Sequence, residues 1–158
     1  MVQYFDLSGS SDWQLDPPCS IIHNCEMGVP NTILELGSGT GYVGLKLPEK
    51  LPLRGKSDDL LILSDLVDVC PLLEENLRLR RQESAMPMQI SDMDIKIAPL
   101  PWGETDECRK TLHFLNSYQS SKASGSPEKV QRHLTHIICS DLVSLHFHST
   151  RSCIDSVR

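Results

Sequence analysis

The fold of this chain is decided by residues 33–44, which read ILELGSGTGYVG. An apolar run comes first, and four glycines follow within eight residues, at positions 37, 39, 41 and 44. Glycines directly behind a strand and at the start of a helix let the backbone approach a ligand closely, and the helix N-terminus favours polar or anionic groups. The stretch therefore predicts a strand, a ligand-binding loop and a helix, in that order.

Outward from this stretch, the chain alternates apolar strands with helices, as in a parallel sheet covered by helices. The predicted strands are residues 32–36, 60–63, 88–98 and 134–139. The predicted helices begin at Gly41, after a cap at Asp68, and at Asp106, and Pro48 and Pro52 are expected to interrupt the first of them. The expected fold class is therefore α/β.

Composition indicates a soluble globular domain. The 158 residues are 39% apolar and 23% charged, with a formal net charge of -6, which suits a single domain. The negative charge argues against a nucleic acid as partner, since phosphate binding depends on Lys and Arg. No apolar run approaches the roughly 20 residues that span a bilayer, so no membrane role is predicted. The first 45 residues contain acids but no Lys or Arg, which makes residues 1–31 an acidic leader.

The six cysteines form no C-x-x-C pair, and the N-terminus lacks the basic start and apolar core of a signal peptide. We therefore expect reduced thiols and a cytoplasmic location. Four histidines between positions 133 and 148 lie near two of the cysteines, but their spacing fits no zinc pattern. His136 and Cys139 also fall on opposite faces of a predicted strand. No metal site is predicted.

Two cofactor classes fit the glycine stretch. Residues 39–44 match G-x-G-x-x-G, and Asp65 lies about 20 residues further on, as in a dinucleotide-binding fingerprint. Under that interpretation, the protein would be an NAD-dependent oxidoreductase. However, Glu35 stands two residues before Gly37, the first glycine. A buried carboxylate there would repel a diphosphate and attract a cationic sulfonium, so the charge favours S-adenosyl-L-methionine.

The order of the motifs resembles a known family. Glu35-x-Gly37-x-Gly39-x-Gly41 resembles motif I of the seven-stranded S-adenosylmethionine-dependent methyltransferases. Three further segments are similar to signatures of the lysine methyltransferase group of methyltransferase family 16: LSDLVDVCPLLEENL at 63–77, LPWG at 100–103 and IICSDLV at 137–143. The resemblance implies a Rossmann-like class I methyltransferase sheet and a protein substrate that carries a target lysine. Family members act on elongation factors, chaperones and other cytosolic proteins.

The resemblance also implies which residues bind the cofactor. Gly37 and Gly39 would approach its methionine moiety, with Glu35 and Gly41 in the same motif. Asp65 would receive the ribose hydroxyls through charge-assisted hydrogen bonds.

Four more site residues follow from the family. Trp102 would stack on the adenine, a role that suits its flat apolar ring. Ser140 falls where the family contacts the cofactor, and Trp13 lies roughly where the family has a cofactor-contacting tryptophan. Asp141 opens the family's Asp-x-x-Tyr motif and would orient the target lysine.

The resemblance ends at residue 143. Ser144 stands where the family has an aromatic residue, and 144–158 lack the proline and apolar helix that usually follow. We therefore expect an incomplete sheet with about four of the seven strands. The expected division is an acidic leader 1–31, a partial methyltransferase domain 32–143 with a flexible insertion 117–127, and an atypical tail 144–158.

Three functions stay open on the sequence. The first is a protein-lysine N-methyltransferase, whose activity in a chain of this length is in doubt. The second is a catalytically dead methyltransferase-like fragment that retains cofactor or partner binding. The third is the NAD-dependent oxidoreductase, which Glu35 and Trp102 disfavour.

Overall fold

The structure, a computed structural model, describes residues 19–51, 58–83, 93–101, 103–117 and 133–139. Within these ranges, four helices and four strands alternate along the chain. In chain order they are α1 Ser20–Glu26, β1 Thr32–Leu36, α2 Tyr42–Lys50, β2 Leu60–Asp65, α3 Cys70–Glu83, β3 Asp94–Pro99, α4 Thr105–Ser117 and β4 His136–Cys139. The α/β class expected from the sequence is confirmed.

The four strands form one parallel sheet in the order β3-β2-β1-β4. The chain adds β2 and β3 on one side of β1 and then returns to place β4 on the other side. This is the strand order with which a doubly wound, Rossmann-like sheet begins, and the reversal between β1 and β4 is its switch point. Leu36, at the end of β1, pairs with both Ser64 and Cys139, so the carboxyl ends of three strands meet at one edge.

Both faces of the sheet are buried, which explains why the central strands are mostly apolar. One core cluster joins strand residues such as Ile33, Leu63 and Ile95 to α1, α2 and α3. The other joins Leu36 and Ile62 to α4. The helices therefore cover both faces of the sheet, three on one side and one on the other among the described elements.

Several element boundaries differ from the sequence prediction. Pro48 was expected to interrupt α2, but the helix continues to Lys50, and Pro48 itself is buried in the last turn. β3 begins at Asp94, and the earlier part of the predicted strand lies outside the described residues. β4 begins at His136, two residues late, because the Thr135 hydroxyl accepts a hydrogen bond from the Thr32 amide.

A buried polar network at the amino edge of the sheet holds α1 against the strands. Asn31 is fully buried, and its backbone N–H donates to Asp59 Oδ1 at 2.6 Å. Its side-chain amide donates to the Ile21 carbonyl and to Cys25 Sγ, each at 3.3 Å. Asn24 in turn donates to Asn31 Oδ1 at 3.0 Å. Because these polar groups satisfy one another, the network stabilises the start of β1, the start of β2 and α1 as one unit.

The end of α1 is closed by a glycine in the left-handed region. Gly28 has φ 74°, and its N–H donates to the Cys25 carbonyl at 3.2 Å. The Val29 N–H donates to the Asn24 carbonyl at 2.8 Å. This pair of hydrogen bonds is a Schellman motif, which requires positive φ at the glycine position.

The side chain of His136 links β4 to α1. His136 Nε2 lies 2.9 Å from Ser20 Oγ, and Nδ1 lies 2.8 Å from Thr135 Oγ1. The Thr135 hydroxyl donates to the Thr32 carbonyl, so it accepts from the Nδ1–H and leaves Nε2 to accept from Ser20. Burial lowers the pKa of His136 below its usual value of 6.5, which favours the neutral ring.

Candidate functional site

The candidate site lies at the carboxyl edge of the sheet, in the loop that follows β1. This loop, residues 37–41, is called the glycine loop below. Gly37, Gly39 and Gly41 have φ values of 65°, 55° and 76°, in the left-handed region that favours glycine. The Gly41 N–H donates to the Ser38 carbonyl at 2.7 Å and closes a turn. The alternating glycines of the sequence therefore allow the chain to reverse directly above the end of β1.

A pair of serines joins the glycine loop to β2. The Ser38 N–H donates to the Ser64 carbonyl at 3.0 Å, and the Ser64 N–H donates to Ser38 Oγ at 3.1 Å. The Ser64 hydroxyl donates to the Glu35 carbonyl at 2.6 Å. Both serines are buried, so these hydrogen bonds fix the loop on the ends of β1 and β2. Sequence reasoning missed this pair, because a serine after a strand carries no distinctive signal.

The carboxylate of Asp65 holds the middle of the glycine loop. Its Oδ2 accepts a hydrogen bond from the Gly39 N–H at 2.7 Å, and its Oδ1 accepts one from the Leu66 N–H at 2.7 Å. Each carboxylate oxygen has a further acceptor position, so Asp65 can still receive ligand hydroxyls. The structure thus brings together Asp65, the acid predicted to bind the ribose, and Gly39, a glycine predicted to contact the cofactor.

The glycines of the stretch differ in what surrounds them. A Cβ on Gly39 would meet no atom within 4 Å. A Cβ on Gly41 would lie 2.9 Å from Leu73 Cδ2. One on Gly44 would collide with Leu63 Cδ2 and with Glu35 Oε2. Packing therefore favours glycine at position 44 and the positive φ favours it at position 41, whereas the side of Gly39 opens to space that a ligand can fill.

Glu35 is fully buried, and its carboxylate lies against the first turn of α2, at Gly44. The helix N-terminus carries partial positive charge, which is favourable for a carboxylate. Its negative charge also reaches the end of β4: burial, and then the charge of Glu35, raise the pKa of the Cys139 thiol. The switch point therefore has a buried carboxyl group beneath it.

The third helix also contacts the glycine loop. Asn76 Nδ2 donates to the Thr40 carbonyl at 2.8 Å, across 36 residues of sequence. Asn76 was not among the site residues inferred from the sequence. Its position three residues after Leu73, on the same face of α3, is the signal that could have indicated a contact with the loop.

Four predicted site residues, Trp13, Trp102, Ser140 and Asp141, lie outside the described residues. The segment before Trp102 does reach the site, because the Leu100 N–H donates to the Asp65 carbonyl at 2.8 Å. The roles of all four residues stay predictions.

Exposed apolar side chains follow directly on the loop and on Asp65. Tyr42 is 63% exposed, Leu66 54% and Val67 60%. Large apolar side chains of this exposure next to a polar loop provide contact area for a ligand or a partner.

Within the described ranges, no group of three or more His, Cys, Asp or Glu residues could hold a metal ion. None of the described helices is both long and apolar enough to cross a membrane. Cys19, Cys25, Cys70 and Cys139 are free thiols.

The chain is similar to a known family. A family model described as lysine methyltransferase matches residues 2–114, which include the glycine loop, Asp65 and Asn76. No curated protein matches the chain.

Proposed function

Since the chain belongs to the lysine methyltransferase family, we propose that it transfers a methyl group from S-adenosyl-L-methionine to a lysine of a protein substrate. The observation that carries this proposal is the hydrogen bond between the Gly39 amide and the Asp65 carboxylate. It joins a glycine with open space beside it to an acid at the carboxyl edge, next to the switch point. Open α/β sheets bind their ligands in that crevice.

The residues of the site fit the proposed cofactor. The open side of Gly39 provides room for a close approach to the backbone. Asp65 has acceptor positions for the two ribose hydroxyls in addition to its bonds to Gly39 and Leu66. A charged Glu35 carboxylate below the loop would favour a cationic sulfonium and amino group.

The same carboxylate argues against a dinucleotide. In dinucleotide-binding folds the pyrophosphate sits at the N-terminus of the helix after the glycine loop. Here Glu35 packs against the first turn of that helix, at Gly44. Its charge would repel a diphosphate, so the G-x-G-x-x-G match of residues 39–44 does not favour an NAD-dependent oxidoreductase.

The chemistry requires little more than positioning. The bound cofactor supplies a methyl carbon activated by its sulfonium. The protein has to hold an unprotonated lysine amine in line with that carbon, although the pKa of a free lysine is near 10.4. We propose that Asp141 orients the amine, that Trp102 stacks on the adenine, and that Ser140 and Trp13 contact the cofactor, as the family resemblance implies.

We further propose a substrate of the elongation factor or chaperone class and a cytoplasmic location. The family supports a protein substrate, and Tyr42, Leu66 and Val67 offer apolar contact area beside the site. The free thiols of Cys19, Cys25, Cys70 and Cys139 agree with a reducing compartment.

The test is calorimetric titration with S-adenosylhomocysteine, the product form of the cofactor. Cooperative thermal unfolding is recorded first, to show that the chain is folded. Asp65→Asn keeps the shape of the side chain but removes the charge that receives the ribose. Hydrogen bonds to charged groups contribute about 1.5–3 kcal/mol each, so we expect at least about tenfold weaker binding.

Asp68→Asn is the matched control, because Asp68 is an exposed acid three residues further along the chain. It should bind like the wild type. A folded wild-type chain that binds NADH but not S-adenosylhomocysteine would contradict the proposal. Binding without methylation of any lysine substrate would instead support the catalytically dead binding fragment.

A further inference from the structure

We propose that Asn76 is a positioning residue that holds the glycine loop in the conformation that the cofactor binds. This inference rests on the proposed function. Asn76 itself touches the loop through the Thr40 carbonyl, at 2.8 Å, and acts on the ligand only through it.

Two adjacent contacts connect α3 to the loop. Leu73 is fully buried in the core, and its Cδ2 lies where a Cβ on Gly41 would point. Asn76 is one helical turn further along the same face and reaches Thr40, the neighbour of Gly41. The apolar contact fixes the distance between α3 and the loop, and the hydrogen bond fixes the orientation of the peptide group.

The orientation of that peptide group matters for the whole loop. The Thr40–Gly41 peptide is planar, so its carbonyl and its N–H point in opposite directions. On one side the Asn76 side-chain amide donates to the Thr40 carbonyl, and on the other the Gly41 N–H donates to the Ser38 carbonyl at 2.7 Å. If the Asn76 bond is lost, this peptide can rotate, and rotation breaks the turn that carries Gly39.

Other contacts of the loop come from β2. The end of β2 holds Ser38 through the Ser64 carbonyl and holds Gly39 through the Asp65 carboxylate. Thr40 is exposed and takes part in none of these hydrogen bonds. Asn76, through its hydrogen bond to Thr40, therefore holds the part of the loop that β2 does not contact.

The bond is half-exposed, so its loss should affect binding more clearly than folding. A loop that spends part of its time in other conformations binds with an affinity reduced by the fraction in the competent form. From the net contribution of one hydrogen bond, we expect the apparent Kd for S-adenosylhomocysteine to rise about three- to tenfold.

The experiment compares Asn76→Asp with Asn24→Asp in the full chain. Each substitution removes the side-chain amide donor of one hydrogen bond from a helix and adds one charge. Asn24, however, bonds to Asn31 at the amino edge, away from the loop. We expect weaker S-adenosylhomocysteine binding in Asn76→Asp, binding within about twofold of the wild type in Asn24→Asp, and a small decrease of Tm in both.

A second measurement needs no ligand. Amide hydrogen exchange at Gly41 reports the turn bond to Ser38 directly, and it should accelerate in Asn76→Asp but not in Asn24→Asp. Asn76→Gln retains an amide donor and should recover part of the affinity, which also covers the case that the aspartate variant does not fold.

The outcomes separate this inference from the proposed function. Absence of binding by the folded wild type would overturn the proposed function, and the claim about affinity with it. Normal wild-type binding together with unchanged affinity in Asn76→Asp would overturn the role of Asn76 alone. Unchanged exchange at Gly41 would show that the loop does not depend on the Asn76 bond.

Discussion

Gly39→Ala and Gly28→Ala form a matched pair that separates ligand binding from backbone strain. Both glycines have positive φ, 55° and 74°, and an added Cβ would meet no atom within 4 Å at either position. An alanine in the left-handed region costs about 1–2 kcal/mol, so the free energy of unfolding should fall by a similar amount in both variants. Without ligand, the two variants should therefore be nearly indistinguishable.

With ligand, the two variants should differ. Gly39 lies in the glycine loop beside Asp65, whereas Gly28 ends α1. If the cofactor fills the open space beside Gly39, the new methyl group occupies the same volume, and we expect Kd to rise at least about tenfold, or 1.4 kcal/mol. Gly28→Ala should bind like the wild type.

The assay is urea unfolding with and without S-adenosylhomocysteine at about 100 times the wild-type Kd. Ligand at this concentration raises the free energy of unfolding by about 2.7 kcal/mol. A tenfold weaker site leaves about 1.4 kcal/mol. Equal ligand-induced stabilisation of Gly39→Ala and Gly28→Ala would refute the placement of the cofactor against Gly39.

Three further changes test other parts of the structure. Gly44→Ala should lower the free energy of unfolding by about 1–3 kcal/mol, because its Cβ collides with Glu35 and Leu63, and a urea titration measures this. Asn31→Ala should destabilise by about 1–3 kcal/mol, because it leaves buried polar partners unsatisfied, and an unchanged Tm would contradict the buried network. Because burial lowers the pKa of His136, the unfolded chain binds a proton at this residue more readily than the folded chain does. The neutral ring of His136 therefore contributes fully to stability above pH 6.5, and this contribution is lost as the pH falls through the folded pKa. The decrease of the urea midpoint from about pH 7.5 to about pH 5 should therefore be smaller in His136→Gln than in the wild type.

The sequence predicted the central strand and the loop well. β1 spans Thr32–Leu36, as expected, because a short apolar run ends at a glycine and needs no distant contact to define it. The prediction for α2 was wrong at Pro48, since a proline in the last turns of a helix is tolerated when tertiary packing buries it. Burial of that kind cannot be inferred from local sequence.

Within the site, residues of recognisable sequence motifs were singled out from the sequence, and residues that packing joins to the loop were not. Asp65 and Gly39 were both expected to bind the cofactor, and the structure places them in contact. Asn76 and the Ser38–Ser64 pair were missed, because serine and asparagine are common residue types whose hydrogen-bond partners the sequence does not reveal. The position of Glu35 against Gly44 was also not foreseen, since it depends on the angle at which α2 packs on the sheet.

The position of β4 has a consequence for synthesis on the ribosome. β1 is made early, but its partner on one side comes much later: Thr32 and Thr135 are bonded across 103 residues of sequence. While the chain is still emerging, β1, β2 and β3 can pair, and the other edge of β1 stays open until residue 139 has left the exit tunnel. An open apolar strand edge recruits other chains. The nascent protein should therefore depend on chaperones more strongly than the finished one, and synonymous codons that slow translation before residue 139 should increase its aggregation.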